Sequence, residues 1–316
     1  MRILHTSDWH LGRTFHGRVL DDAHAAFADH LVELVTAESV DAVLVAGDVY
    51  DRAIPPNDAV ALLDETLRRL TERTRVVLTP GNHDSARRLG FAADLLREGL
   101  IIRARTAGLD RGIILPDAAR EILPPLLAER LGEETPAKHT AGEDQAESGD
   151  TASQPVQPER PRLPRSHEAV VSAALRLVAA DLDRLRSSRS RRLPSLLMAH
   201  AFVVGGEACE SERDIRVGGV DSVPSGVFTT LGGSPLAERS GGLDYVALGH
   251  LHRPQELTRP TGPRLVYTGS PLPFSFDEAK APATPSPSPP SCWISAPMAS
   301  PAWSASPPRS CTRCAH

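Results

Sequence analysis

Cysteine is scarce in this chain, with four residues at positions 209, 292, 311 and 314 of 316. That supply gives no disulfide framework. Cys311 and Cys314 have zinc-like spacing, but no second pair accompanies them and accident explains the spacing better. An excess of positive charge is also lacking, since Lys+Arg 35 against Asp+Glu 40 leaves a net charge of −5. This excludes a protein that coats nucleic acid through an overall basic surface, while leaving room for a local basic groove. No apolar run is long enough to span a bilayer, and Met1 to Leu4 lead straight into strand-like sequence without a signal-peptide pattern. A cytoplasmic protein without a membrane segment is the expectation. The remaining composition, 41% hydrophobic and 24% charged, is that of a globular chain with one large domain or two modest ones.

What the chain does have is a set of short apolar runs that end in polar, metal-binding residue types. The central one is AVLVAGDVYD, Ala42 to Asp51, a Val-rich run that stops at Gly47-Asp48. It reads as a buried strand whose end lies at the rim of a sheet, where open α/β sheets bind ligands. RILHT before it leads to Asp8-Trp9-His10, and RVVLT after it leads to Gly81-Asn82-His83-Asp84. LLMA ends at His200, and YVAL ends at Gly249-His250-Leu251-His252.

Between these strands the spacing is helical. Phe27, Leu31, Leu34 and Val35 share one face of a helix from Asp21 to Ser39. Asn57 is placed to cap a second helix with a stripe of Val60, Leu63, Leu67 and Leu70. A third is expected from Ser85 to about Glu98, and a long amphipathic one from His167 to about Arg186. Alternating strands and helices predict a mainly parallel sheet with right-handed crossovers. Residues 130–166 hold almost no large apolar side chains and read as a low-complexity insertion that cannot offset its ordering entropy. Residues 281–316 are dominated by Pro, Ser and Ala, and read as a disordered tail or as coding sequence out of frame. The folded unit is therefore expected to span 1–280.

The strand ends carry Asp8/His10, Asp48/Asp51, Asn82/His83/Asp84, His200 and His250/His252. In an extended segment, residues two apart point the same way, so Asp8 with His10 and His250 with His252 can each present two ligands to one point. Mixed carboxylate, amide and imidazole donors suit manganese, iron or zinc, and the lack of thiolates argues against structural zinc. Two ions about 3.5–4 Å apart share a carboxylate and clamp both oxygens of an in-line phosphoryl displacement. Asp48, at the end of the central strand, is the natural bridge. Any one of these motifs alone is more often a surface pair or a satisfied core histidine. All of them together, each behind a strand, make a site.

Asp-x-His, Gly-Asp-x-x-Asp, Gly-Asn-His-Asp, a lone His and Gly-His-x-His, in that order, resemble the calcineurin-like metallophosphoesterase superfamily. HTSDWHLGRTFHG, GDVYDRAIPP, GNHDSARRLGF, SERDIRVGGV, DYVALGHLH and YTGSPLPFSF resemble, more narrowly, the SbcD-type nuclease subunits. The resemblance covers about residues 1–100 and 167–280 and implies a four-layer α/β/β/α sandwich. It also implies two divalent ions, manganese by family. One would be held by Asp8, His10, Asp48 and His252, the other by Asp48, Asn82, His200 and His250. His83 would protonate or stabilise the leaving oxygen, with Asp51 and Asp84 orienting histidines. Arg13, His16, Arg87 and Arg88 lie near the motifs as candidate phosphate contacts. The implied activity is 3'-5' exonuclease and endonuclease cleavage of DNA ends or hairpins in repair and recombination. The implied partners are DNA and an SbcC-type coiled-coil ATPase, with a homodimer of this subunit inside a heterotetramer.

The chain departs from this pattern in two places. Residues 108–129 lack a clear strand pair, and after Lys280 the family's remaining strands and partner-binding region are missing, so weak partner binding is expected. Two other readings stand beside the nuclease: a small-substrate phosphoesterase acting on cyclic nucleotides or phosphomonoesters, and a truncated, non-catalytic DNA- or partner-binding product.

Overall fold

The computed structural model describes residues 1–96, 99–107, 109–116, 121–122, 166–187, 192, 194–208, 212, 222–257, 262–275, 278, 292–295 and 304–306. The first half contains β1 (Arg2–Thr6), β2 (Thr14–Phe15), β3 (Arg18–Val19), α1 (Asp21–Ala37), β4 (Ala42–Ala46) and α2 (Asn57–Thr71). It continues through β5 (Arg75–Thr79), α3 (Ala86–Leu89), β6 (Leu100–Ile102), β7 (Leu115–Pro116) and β8 (Glu121–Ile122). The second half contains α4 (His167–Ser187), β9 (Leu196–His200), α5 (Gly226–Thr229), α6 (Ala237–Ser240), β10 (Tyr245–Gly249), β11 (Gln255–Leu257) and β12 (Arg264–Tyr267). Two further strands follow, β13 (Cys292–Ser295) and β14 (Ser304–Ser306).

Two sheets stack face to face. The first has the order β14-β13-β1-β4-β5-β6, and the second β11-β12-β10-β9. Within the first, β1, β4, β5 and β6 run parallel, as do β9, β10 and β12 within the second. Every residue of β4 is buried, as a parallel strand covered on both faces must be. The alternation of its side chains sorts them between layers. Val43 and Val45 pack toward α1 and α2, with Leu31, Val35, Leu63 and Leu70. Ala42, Leu44 and Ala46 face the second sheet, meeting Leu196, Met198, Tyr245 and Ala247. The outer side of that sheet, Leu197, Val246, Leu248 and Leu265, is covered by Leu175, Val178 and Leu182 of α4. The result is the four-layer α/β/β/α sandwich. Each fully buried aliphatic side chain in these layers stabilises it by about 1.5–3 kcal/mol.

Several local expectations need correction. Asn57 is the first residue of α2 rather than its cap, which is Pro56, and Val60 lies exposed while Ala59 and Thr66 join the buried stripe. The helix expected to reach Glu98 ends at Leu89, because Gly90 packs against Ala104 and Ala92 adopts a left-handed conformation. Around residues 108–129 the strand pair is minimal, Leu115 and Pro116 against Glu121 and Ile122. The composition after Lys280 predicts no regular structure. Instead, β13 pairs antiparallel with β1, Ile3 opposite Ile294, so that β1 is hydrogen-bonded on both sides and is not a sheet edge. The insertion between 130 and 166 lies outside the described residues except for Ser166, as do Cys209, Cys311, Cys314 and most of SERDIRVGGV. No helix among the described residues is long and apolar enough to cross a membrane.

Candidate metal centre

The strand ends of both sheets open onto one buried site. Asp8, His10, Asp48, His83, His200, His250 and His252 are all buried there, and Asn82 is half-buried. The two sheets approach very closely at this rim. A Cβ on Gly249 would overlap the Ala46 carbonyl oxygen, and one on Gly81 would overlap the Asp48 carboxylate. Only glycine lets these turns bring their neighbours into the site.

The backbone past the strands is not extended, so strand alternation is not what brings Asp8 and His10 together. Asp8, His10 and Asp48 have φ of 54°, 46° and 49°, and His250 has 103°. Such conformations cost of order 1–3 kcal/mol each and persist only where surroundings enforce them. Here the ladder between the first two strands of the site continues beyond β1 and β4. The Asp8 N–H donates to the Gly47 carbonyl at 3.0 Å, and the His10 N–H to the Asp48 carbonyl at 3.0 Å.

Donor atoms gather on two sides of Asp48. On one side, His10 Nε2 and His252 Nε2 stand 3.0 Å apart with an Asp8 carboxylate oxygen close by, and His10 Nε2 lies 3.8 Å from Asp48 Oδ2. On the other, His200 Nε2 lies 3.2 Å from Asp48 Oδ2 and 2.9 Å from Asn82 Oδ1, with His250 Nδ1 3.3 Å from the same Asn82 oxygen. His250 and His252 therefore turn to different sides rather than to one point. Of the outward nitrogens, His200 Nδ1 meets the Ala46 carbonyl at 3.0 Å, whereas His10 Nδ1 stands 3.6 Å from Asp51 Oδ1, beyond hydrogen-bond reach. This donor set fits divalent ions. Two neutral imidazole nitrogens facing each other at 3.0 Å cannot both donate, and an ion shared with Asp8 would take both lone pairs. Spacings of 3.0–3.8 Å are those of atoms bound about 2.1 Å from one centre.

The electrostatics point the same way. Burial pushes the Asp8 carboxyl up, to about 6, against the pull of His200 and His252. Burial also acts to raise Asp48, but the neighbouring His200, and then His10 and His83, hold it well below the usual carboxylate range. Burial lowers His10 well below its ordinary value and His250 to about 3, leaving neutral rings ready to ligate. His200, like Asp48, runs against its burial, raised to about 10 by the Asp48 charge. Two buried carboxylates among these rings make a pocket that favours cations.

His83 sits beside this set, within reach of His10 and Asp48. Its N–H donates to Asp48 Oδ1 at 2.8 Å, its Nδ1 meets the Asp51 carbonyl at 2.7 Å, and its ring packs edge-on against His10. Asp51 thus contacts both His10 and His83. Asp84, a candidate for orienting a histidine, does something else: its carboxylate accepts the amides of Val49, Tyr50 and Gly81 at 2.8–3.0 Å. It holds the Asp48 and Asn82 turns together, because three unsatisfied loop amides converge there. Of the candidate phosphate contacts, Arg13 is turned inward over the Phe274 ring and toward Asp51. His16, Arg87 and Arg88 are exposed at the surface.

Sequence reasoning misses Phe274, Glu278 and Glu212. Phe274 packs edge-on against both His10 and His252. Glu212 accepts the His252 N–H at 2.7 Å, and Glu278 stands 3.5 Å from His252 Nδ1. One signal is available, since Ser275-x-x-Glu278 is a capping-box pattern that ties a glutamate back onto its own turn.

The calcineurin-like phosphoesterase family profile matches residues 1–254. The chain is 38% identical over 292 residues to a protein of Rhodobacter capsulatus that bears the name of the SbcD component of the SbcCD nuclease. That alignment covers 88% of this chain and 64% of the relative, so the chain spans somewhat under two thirds of its length. A crystal structure of TT1561 of Thermus thermophilus aligns with 85% of this chain and 89% of its own, at 15% identity and a TM-score of 0.43, a loose likeness. With its motifs gathered at one buried rim and four fifths of its length matched by the profile, the chain belongs to the calcineurin-like phosphoesterase family.

Proposed function

We propose that this chain is the nuclease subunit of an SbcCD-type enzyme that hydrolyses phosphodiester bonds at DNA ends or hairpins. The observation that carries the reading is the pair of donor sets meeting at Asp48, Asp8/His10/His252 on one side and Asn82/His200/His250 on the other. Two divalent ions, manganese by resemblance, would be held there with Asp48 between them. When bound they would supply charge stabilisation and an activated water. Similarity to a protein named as part of the SbcCD nuclease favours nuclease activity with an SbcC-type partner. The motif resemblance adds DNA as substrate, 3'-5' polarity, a coiled-coil ATPase as that partner and a homodimer of this subunit.

The chain's own residues do the rest. Asp84 pins the Asp48 and Asn82 turns in register. Phe274 closes one wall with a packed ring and keeps water off His10 and His252. A carbonyl only accepts, so the Asp51 contact keeps a proton on His83 Nδ1; acting as the acid, the ring starts as the imidazolium, gives its Nε2 proton to the leaving alkoxide and ends as the neutral Nδ1–H tautomer. The test is hydrolysis of end-labelled duplex DNA against cyclic AMP and a phosphomonoester, with manganese and with chelator. Manganese-dependent shortening of DNA in preference to the small substrates supports the proposal. Preferential turnover of cyclic AMP or the monoester overturns it.

A further inference from the structure

The histidine that completes the first donor set is gripped from segments outside the strand-end motifs. His252 aims Nε2 inward at His10, so its Nδ1 faces away from the site. There it meets Glu278 Oε1 at 3.5 Å, and the Glu278 side chain is only 5% exposed. Glu278 is itself fixed. Its Oε2 accepts the Phe274 N–H at 2.7 Å, its Oε1 accepts the Ser275 hydroxyl at 3.2 Å, and its own N–H donates to Ser275 Oγ at 3.1 Å. This reciprocal turn holds Phe274 against His10 and His252. The His252 backbone is secured as well, its N–H donating to Glu212 Oε1 and its carbonyl accepting the Ser270 N–H at 3.0 Å.

A ligating imidazole must be neutral, with its remaining proton on the nitrogen that faces away from the ion. A carboxylate at that nitrogen selects the tautomer, fixes the ring and raises the basicity of the ligating atom. We propose that Glu278 is the positioning residue for His252, so that a turn beyond the family match, which ends at residue 254, completes the candidate metal centre. This rests on the reading of His252 as a metal ligand.

The test is calorimetric titration of the full chain with manganese, for wild type, Glu278→Ala, Glu278→Gln, His252→Ala and the double variant Glu278→Ala/His252→Ala. Thermal midpoints in chelator accompany it. Loss of such an outer partner typically weakens metal affinity 10- to 100-fold, so Glu278→Ala should bind about that much less tightly at one site only. Glu278→Gln, whose amide oxygen can still accept from Nδ1, should fall between Glu278→Ala and wild type. The double variant should bind no worse than His252→Ala, since Glu278 acts through that ring. Wild-type affinity in both Glu278 variants, or additive losses in the double variant, would overturn the proposal. If Glu278→Ala does not fold, Glu278→Gln decides alone: weaker binding at an unchanged thermal midpoint supports the assignment and wild-type binding overturns it. His252→Ala with both sites intact would instead remove the ligand reading beneath it.

Discussion

Asp48 Oδ2 lies 3.2 Å from Nε2 of His200, a buried contact between the end of β4 and the end of β9. It joins the two sheets at the point where each has run out of strand. The ladder of β4 and β5 and that of β9 and β10 place these side chains, and the glycines beside them let the turns close.

The first prediction concerns that close approach. Gly249→Ala puts a methyl group where the Ala46 carbonyl oxygen already lies and 2.7 Å from His200 Nδ1, so a backbone carbonyl and a buried ring would both have to move. The variant should lose on the order of 3 kcal/mol or more of stability, among the larger effects of single substitutions. Urea unfolding in chelator measures it. A midpoint equal to wild type would mean that the sheets are not in contact there.

Acid should weaken the fold through His5. This side chain is fully buried, its Nδ1 3.2 Å from the Tyr245 hydroxyl, and burial lowers its pKa from 6.5 to about 3. The unfolded chain takes up a proton below about 6.5 that the folded chain refuses, so stability is complete above that pH and falls as pH drops toward 3. One unit is worth about 1.4 kcal/mol, so between pH 7 and pH 5 the loss from this group is about 2 kcal/mol. His5→Leu should flatten the decline by that amount. Urea midpoints at both pH values, in chelator, read it. Equal pH dependence in the variant would contradict the assignment.

Much of this arrangement is legible in the sequence because it is local. A Val-rich run stopping at Gly-Asp marks a covered strand and its rim, and the periodic faces of α1, α2 and α4 mark what covers the outer faces of the two sheets. The donor residues are readable for the same reason, each sitting within a few residues of a strand end. How they converge is not readable. The left-handed φ at Asp8, His10 and Asp48 is imposed by pairing between β1 and β4 and by their neighbours, which no single segment encodes. Nor are Glu212 and Glu278, which meet His252 from distant points of the chain without any periodic signal. The pairing of β13 with β1 is hidden by composition, since its short Cys-Trp-Ile run is embedded in Pro/Ser-rich sequence.

His83→Ala should separate chemistry from binding. The residue is held by Asp48 and Asp51 but lies outside the two donor sets taken here as ligands. Manganese affinity should stay within a few-fold of wild type. DNA cleavage should fall by about a hundred- to ten-thousand-fold, the usual contribution of a general acid. A nitrophenyl phosphodiester, whose leaving group needs little protonation, should suffer much less. Equal losses on both substrates, or lost metal, would take His83 out of the acid role.

The bridge at Asp48 is tested most directly by calorimetric titration of the Asp48→Asn variant with manganese, set beside His10→Ala. Wild type should bind two ions. His10→Ala should weaken one site and leave the other, because its ring serves only the Asp8/His252 side. Asp48→Asn should weaken both sites together, since a single oxygen between His10 and His200 loses its charge. An Asp48→Asn protein that keeps one site at wild-type affinity would contradict the two-ion account.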